Sequence, residues 1–455
     1  LSGYAFSTNG GLTWTDGGAP PSFGTNVFTR GDPWMDRGGL DNATFYYANL
    51  AVDATTGASL GVSVHRGHFS GGSFSWQDVH AFNTPNPKDA YDKEALVAAK
   101  DGSGAAYVSV TNFIETCGLP ANGFGRIEVW RTHDGGNTWQ GPSVVSQDET
   151  FITDPANSAC GTTGTLQQSS VPAIGPNGEV YVTWSDGPSF TSTGVTTDAR
   201  IMVARSLDGG VTFSTPMVVA SINSMRQNPP VGYNRNRIND HPRIAVATTG
   251  PHKGRVYLAY YSAASPVGPV SAVSCPSGTP ANSVCIGQNL VSSQVSLTYS
   301  DDRGQTWSTP TPVAPNELAT GTKRFWPVVG VEPGGNVDVV YLESQETTTA
   351  TNPNCIVRVG TVASGKALRR AGPANSLVNA FEVQSTDGGV TFSAPIKLST
   401  ATSNWCTAVS NVTPNFGDYI GTAEGGNRML ATWGDARNGV PDVVYAQFQG
   451  AGKSP

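Results

Sequence analysis

The chain has 455 residues, with 54 glycines, 31 prolines, only 13% charged residues and a net charge of -7. Basic residues are neither abundant nor clustered, which speaks against nucleic acid as a partner. No apolar run approaches the roughly 18 residues of a membrane span, and the turn-rich, charge-poor composition suits an all-β protein.

In chain order, the sequence starts at Leu1 rather than Met, which reads as a processed or trimmed chain, and its first strand pattern is GYAFSTNGGLTW from Gly3. Paired strand patterns follow, each a short apolar run, a glycine-containing turn and a second run with alternating aromatics. They begin at Asp32 (DPWMDRGGLDNATFYYANL), Asp92 (DKEALVAAKDGSGAAYVSV), Gln168 (QSSVPAIGPNGEVYVTW), Asp240 (DHPRIAVATTGPHKGRVYLAYY), Arg324 (RFWPVVGVEPGGNVDVVYLE) and Gly417 (GDYIGTAEGGNRMLATW). A third strand pattern leads into a corner motif, as in RIEVWRT before His133 and IMVARS before Leu207, and a fourth follows it, as in QGPSVVS and STPMVVA.

The corner motif is Ser/Thr-x-Asp-x-Gly-x-Thr-Trp/Phe. It reads THDGGNTW at Thr132–Trp139, SLDGGVTF at Ser206–Phe213, SDDRGQTW at Ser300–Trp307 and STDGGVTF at Ser385–Phe392. Ser7–Trp14 is a copy with Asn9 at the Asp position, and Phe69–Trp76 is a worn one. Asp and Ser/Thr oxygens accept bonds from nearby amides and fix a tight turn. Glycine supplies positive φ, and Thr with a closing aromatic suits a strand leaving the turn. Four antiparallel strands per unit and six units predict a single six-bladed β-propeller over 1–455. The last unit lacks a corner motif and the N-terminus lacks first strands, so residues 1–20 are expected to complete the sixth blade with about 400–450.

The Ser-x-Asp-x-Gly-x-Thr-Trp corner resembles the Asp-box, or BNR repeat, of the sialidase superfamily. The resemblance implies a propeller whose Asp boxes lie away from the chemistry, so Asp134, Asp208, Asp302 and Asp387 are expected to be structural. It also implies a glycoside hydrolase acting on terminal sugars of glycans. Such enzymes clamp a substrate carboxylate with arginine forks and use an Asp acid/base with a Glu-assisted Tyr nucleophile. Carried over residue by residue, Arg30 matches the first arginine, although the family's Arg-Ile-Pro is here Arg30-Gly31-Asp32-Pro33. Asp53 or Asp32 matches the acid/base, Tyr419 the nucleophile and Glu343 its partner, with Arg243, Arg324 and Arg437 as further clamps. Asp92 and Trp326, also at strand-one entrances, are expected to face the substrate.

Other readings of these residues stay open. Asp32, Asp92, Asp240 and Asp418 recur at equivalent positions, as repeated structural bonds would, and a ring of carboxylates also suits Ca²⁺, a hard cation. No cofactor is required by the chemistry. The arginines read equally as ion pairs between blades and Tyr419 as a packing residue, and a non-catalytic glycan- or protein-binding propeller at the cell surface is the rival function. No His pair has zinc-like spacing and no G-x-S-x-G elbow occurs. The even set Cys117, Cys160, Cys275, Cys285, Cys355 and Cys406, in loop-like surroundings, predicts disulfides and a secreted, extracellular or periplasmic monomer. Pairing in chain order is the simplest of 15 connectivities.

Overall fold

The computed structural model describes residues 2–84, 89–114, 124–146, 149–150, 163–191, 194–195, 198–226, 228–233, 237–267, 272–273, 283–286, 291–315, 318–347, 356–359, 368–371, 375–408, 410, 415–425 and 428–448. Among these, all regular structure is strand and none is helix. The chain divides into two compact units, Leu1–Gly194 with Met202–Val218, and Val195–Ile201 with Val219–Pro455.

The first unit starts with an antiparallel hairpin of β1 (Tyr4–Phe6) and β2 (Thr15–Gly18). Its first sheet contains β3 (Val27–Thr29), β4 (Trp34–Gly38), β5 (Thr44–Asp53), β6 (Ser59–Ser70) and β7 (Ser73–Phe82), in the order β3-β5-β6-β7 with β4 also on β5. The second contains β8 (Ala90–Ala98), β9 (Ala106–Ile114), β10 (Phe124–Thr132) and β11 (Gln140–Val144), in plain meander order, with Glu149–Thr150 also on β10. Period-two alternation decides which face is apolar. Tyr46 and Ala48 of β5 and Val62 and Val64 of β6 form one core with Leu96, Ala98, Val108 and Val110 of β8 and β9. Burying each large apolar side chain contributes about 1.5–3 kcal/mol. A third meander runs through Thr163–Ile174, Val180–Thr191, Asp198–Ser206 and Met217–Asn223.

In the second unit, one meander runs through Arg243–Val246, Val256–Ala263, Ser293–Ser300 and Thr311–Pro312, and another through Thr322–Val331, Val337–Thr347, Asn375–Ser385 and Ile396–Lys397. A single parallel pairing, Ser293 with Lys323, joins the two into one nine-stranded sheet that also holds Ser403–Asn404. Gly421–Gly425, Arg428–Asp435 and Asp442–Phe448 form a three-stranded sheet, and insertions supply a further four-stranded one. The core here is aromatic. Trp405 and Phe416 stack at 4.1 Å, and Trp326 packs against Phe325, Trp405 and Tyr233.

The all-β class and the four-stranded antiparallel meander, the building plan of a propeller blade, are as expected. Among the described residues the hydrogen bonding gives seven sheets, one of them nine-stranded, and not six separate four-stranded blades. The last sheet has three strands, and β1 and β2 pair with each other. Tyr4 and Phe6 of that hairpin pack on Phe69, Phe74 and Trp76 of the first sheet, with Tyr4 and Trp76 rings 4.9 Å apart.

Two local devices recur. In four corner motifs the Ser/Thr hydroxyl donates to the Asp carboxylate and accepts a glycine amide, and the Asp carboxylate accepts both the amide and the hydroxyl of the Thr. For the copy at Ser206 these bonds are 2.6, 2.8, 3.0 and 2.6 Å. The other device is a bulge on the first strand of a meander. Register shifts fall between Asp92 and Ala95, between Gln168 and Val171, and between Phe325 and Val328. Each shift brackets a non-glycine residue in the left-handed region: Lys93 (φ 54°), Ser169 (φ 66°) and Trp326 (φ 48°). Asp32 (φ 46°), just before β4, adopts the same conformation. Such residues are strained by about 1–3 kcal/mol each and cluster at functional sites, and bulges re-aim side chains.

Cys406 is buried and disulfide-bonded. Cys117, Cys160, Cys275 and Cys355 lie outside the described residues, as do the side chain of Cys285 and the expected pairing in chain order.

Candidate functional site

In the first unit the strained positions are linked by a string of polar bonds. Lys93 Nζ lies 2.5 Å from Asp32 Oδ2 and 4.0 Å from Asp92 Oδ1. Gln168 Nε2 donates to the other Asp92 oxygen at 2.7 Å. The string thus joins the start of β4, the bulge of β8 and the bulge of strand Thr163–Ile174. The side chain of Lys93 is 3% exposed, whereas those of Asp32 and Asp92 are 17% and 25% exposed. An ammonium with no access to water holds two carboxylates that still reach solvent.

Glu94 is the next residue in the same bulge. It is 1% exposed, and neither carboxyl oxygen has a hydrogen-bond partner in any other described residue. Burial first, then the charge of Asp32, hold its carboxyl well above the ordinary range. By contrast, Glu128 of β10 is fully buried but satisfied, accepting from Tyr91 Oη at 3.0 Å, from Asn112 Nδ2 at 3.1 Å, and from Arg126.

The second unit brings a different set together. Tyr419 is half-buried; its ring centroid is 5.4 Å from that of His241, and the Arg243 guanidinium carbon lies 5.4 Å from the same ring. Arg243 donates to the Ile420 carbonyl at 3.1 Å, and burial lowers its pKa to about 10 against the opposing charge of Tyr419. Asp418 accepts from Tyr233 Oη at 2.6 Å. Asp240 accepts from Ser224 Oγ and from the Met225 amide, and burial raises it to about 6 despite those bonds. Asn228 and Val231, close in sequence to these partners, are tied to the Lys323–Glu346 pair. That buried ammonium donates to Glu346 at 2.8 Å and to Asn228 at 3.2 Å, while Glu346 accepts from the Val231 amide.

The remaining expected site residues are held by local bonds. Asp53, at the end of β5, caps its own turn: it accepts from the amides of Thr55 and Thr56, the Thr56 hydroxyl and Asn26. The Thr56 amide and hydroxyl hold its carboxyl below the usual range, the opposite of what an acid catalyst needs. Arg30 is exposed, and its amide donates to the Leu50 carbonyl. Arg324 and Glu343, expected as clamp and as nucleophile partner, form an ion pair at 2.8 Å, and Arg324 also donates to Gln294 and the Pro315 carbonyl. Arg437 forks onto Asp435 at 2.9 and 3.0 Å and reaches Thr400. Trp326 is 1% exposed in the aromatic core. Of the expected arginines, Arg243 is the one seen against the Tyr419 ring among the described residues. For the calcium alternative, no group of three or more His, Cys, Asp or Glu among the described residues could hold a metal ion.

The structure brings the expected Asp32 and Asp92 together through Lys93 and sets the expected Arg243 against Tyr419, while Glu94 was not among the expected residues. Its signal was in the string DKE: three consecutive charged residues opening an otherwise apolar strand (ALVAA) cannot all reach solvent by simple alternation.

Residues 298–309 match the BNR/Asp-box repeat. Among curated proteins none matches the chain in sequence. Solved structures similar to this chain include an α-L-arabinanase of Penicillium chrysogenum complexed with arabinobiose, at 11% identity and TM-score 0.45 over 95% of this chain and 96% of that one. Another is the α-L-arabinofuranosidase Arb93A of Fusarium graminearum, at 12% identity and TM-score 0.48 over 95% and 96%. A third is the Trypanosoma rangeli sialidase, at 11% identity and TM-score 0.42 over 98% of this chain and 57% of that one.

Proposed function

We propose that the chain is a secreted, exo-acting glycoside hydrolase acting on terminal sugars of glycans. In this reading 1–455 forms one six-bladed ring, with residues 1–20 completing the last blade. The observation that carries the reading is the string Asp32–Lys93–Asp92–Gln168 on strained bulges. Glycoside hydrolysis needs paired carboxyl groups at a reachable site, and strain at a fixed place in successive meanders supports a functional demand there. Asp32 and Asp92 supply the carboxyl groups, Lys93 holds its ammonium between them, and Gln168 orients Asp92.

A neutral terminal sugar fits this chemistry better than a sialic acid, because Arg324 and Arg437 are engaged by Glu343 and Asp435. The test is a panel of fluorogenic glycosides that includes an α-L-arabinofuranoside, neutral hexosides and an α-sialoside. Turnover of at least one neutral glycoside is expected, and Asp92→Asn lowers kcat/KM by about 100-fold or more. If only the sialoside turns over and Tyr419→Phe removes that activity, the chemistry belongs to Tyr419, Arg243 and His241 instead.

The engagement of the arginines and of Asp53 in local bonds also favours a second reading, a non-catalytic glycan- or protein-binding propeller. No turnover across the panel, with retained binding on a glycan array, would establish that reading over the first.

A further inference from the structure

The hydrolase reading leaves one requirement open: which group supplies the proton. Breaking a glycosidic bond requires a carboxylic acid that is still protonated at the working pH. Asp53 is stabilised as a carboxylate by its turn, and Asp32 faces the Lys93 ammonium at 2.5 Å.

Glu94 differs from both in geometry. The bulge between Asp92 and Ala95 contains Lys93 and Glu94. The left-handed Lys93 delivers its ammonium to Asp32, and Glu94 is buried beside it with neither carboxyl oxygen bonded to any other described residue. A buried carboxyl with no bond from a neighbouring residue is strongly disfavoured as an anion. The charged groups acting on it are Asp32, from the segment before β4, and Asp92 and Lys93 from its own strand. Tyr47 of β5 is held above its ordinary range by burial first and by Glu94 in part.

We propose that Glu94 holds the proton this site delivers, passing it by way of Asp92 to the departing oxygen of the glycoside. The inference rests on the hydrolase reading. Glu94 is a positioning residue for the proton, and Asp92 is the group that meets substrate. In the step, the Asp92 carboxylate takes up the Glu94 proton through a bridging water and hands it on to the glycosidic oxygen. The bond from that oxygen to the anomeric carbon breaks, with its electron pair leaving on oxygen. Water adds to the anomeric carbon, and the proton it releases returns through Asp92 to Glu94. The balance is glycoside plus water giving free sugar plus alcohol, with the carboxyl groups unchanged.

The decisive variant is Glu94→Gln, which keeps the size and neutrality of the side chain but carries no transferable proton. On glycosides with alkyl leaving groups kcat is expected to fall by about 100-fold or more, and on dinitrophenyl glycosides, which leave unaided, by less than about tenfold. The alkaline limb of the pH–rate profile is expected to move. Asp92→Asn, with Glu94 intact, is expected to show the same dependence on leaving group.

Stability gives a readout independent of turnover. Glu94 has a folded-state pKa above its unfolded one, so its contribution is fully present below about pH 4.3 and is lost as pH rises through the folded value. Glu94→Gln should therefore gain in Tm over the wild type as pH rises from about 4 to 7. Wild-type turnover with an unchanged leaving-group dependence in Glu94→Gln would overturn this proposal alone, as would a Tm difference that does not vary with pH. A wild type inactive on every glycoside overturns the hydrolase reading and this role together.

Discussion

At the scale of single residues, the corner motif shows a sequence signal that converts directly into bonds. All its partners lie within four positions of one another, so no knowledge of the fold is needed to place them. Ser206, 1% exposed, donates to Asp208 and accepts the Gly210 amide. Ser206→Ala leaves that buried amide without its acceptor and should cost about 1–3 kcal/mol, measured by urea unfolding. Arg303 tests the motif in the other direction. The equivalent positions are Gly135, Gly209 and Gly388 at φ 75°, 71° and 77°, while Arg303 sits at φ 60°. Arg303→Gly removes the Cβ penalty of the left-handed region, about 1–2 kcal/mol, against a glycine entropy cost of about 0.5–1 kcal/mol. A net gain of roughly 0.5–1 kcal/mol is expected as a rise in unfolding midpoint. The arginines of the candidate site were not legible in the same way. Their residue type was visible, but their partners belong to other strands.

At the scale of elements, what decides an arginine's role is strand register. Strands Thr322–Val331 and Val337–Thr347 place Arg324 directly opposite Glu343, and the bulge between Phe325 and Val328 sets that pairing. An unbulged hairpin drawn from the sequence alone displaces the pair by one residue, which moves one partner to the other face. The bulges themselves were invisible because their residues, Lys93, Ser169 and Trp326, are not the glycines that normally mark left-handed positions. The fully buried Lys323–Glu346 pair of the same hairpin fastens Asn228 and Val231, and through that segment Tyr233 reaches Asp418 beside Tyr419. Removing one partner strands a buried charge. Lys323→Met should cost about 3–5 kcal/mol, and adding Glu346→Gln should recover part of it. A double-mutant cycle in denaturant checks this, and full additivity of the two losses would contradict the pair's coupling.

At the scale of the whole molecule, the corner motifs make stability depend on acid in a predictable direction. Four of them carry an Asp, distributed over both compact units. Asp134 and Asp387 are held at about 2: slight desolvation pulls them upward, and the bonds from Thr138 and Thr391, and from Thr132 and Ser385, outweigh it. Asp208 and Asp302 are lowered further, by the hydroxyls of Ser206 and Thr212 and of Thr306. These folded-state values lie below the roughly 3.9 of an unfolded Asp. The stability they contribute is therefore complete above about pH 4 and is lost as pH falls through the folded values toward about 2. Tm should be flat with respect to these groups from pH 7 to about 4 and should drop steeply below it. The N-terminal copy supplies an internal comparison, because Asn9 takes the Asp position, accepts the Thr13 amide at 3.0 Å and has no proton to gain. Replacing the four motif Asp residues with Asn should lower Tm at neutral pH and flatten its decline between about pH 4 and 2. An undiminished acid transition in that variant would move the origin of acid sensitivity away from the corner motifs.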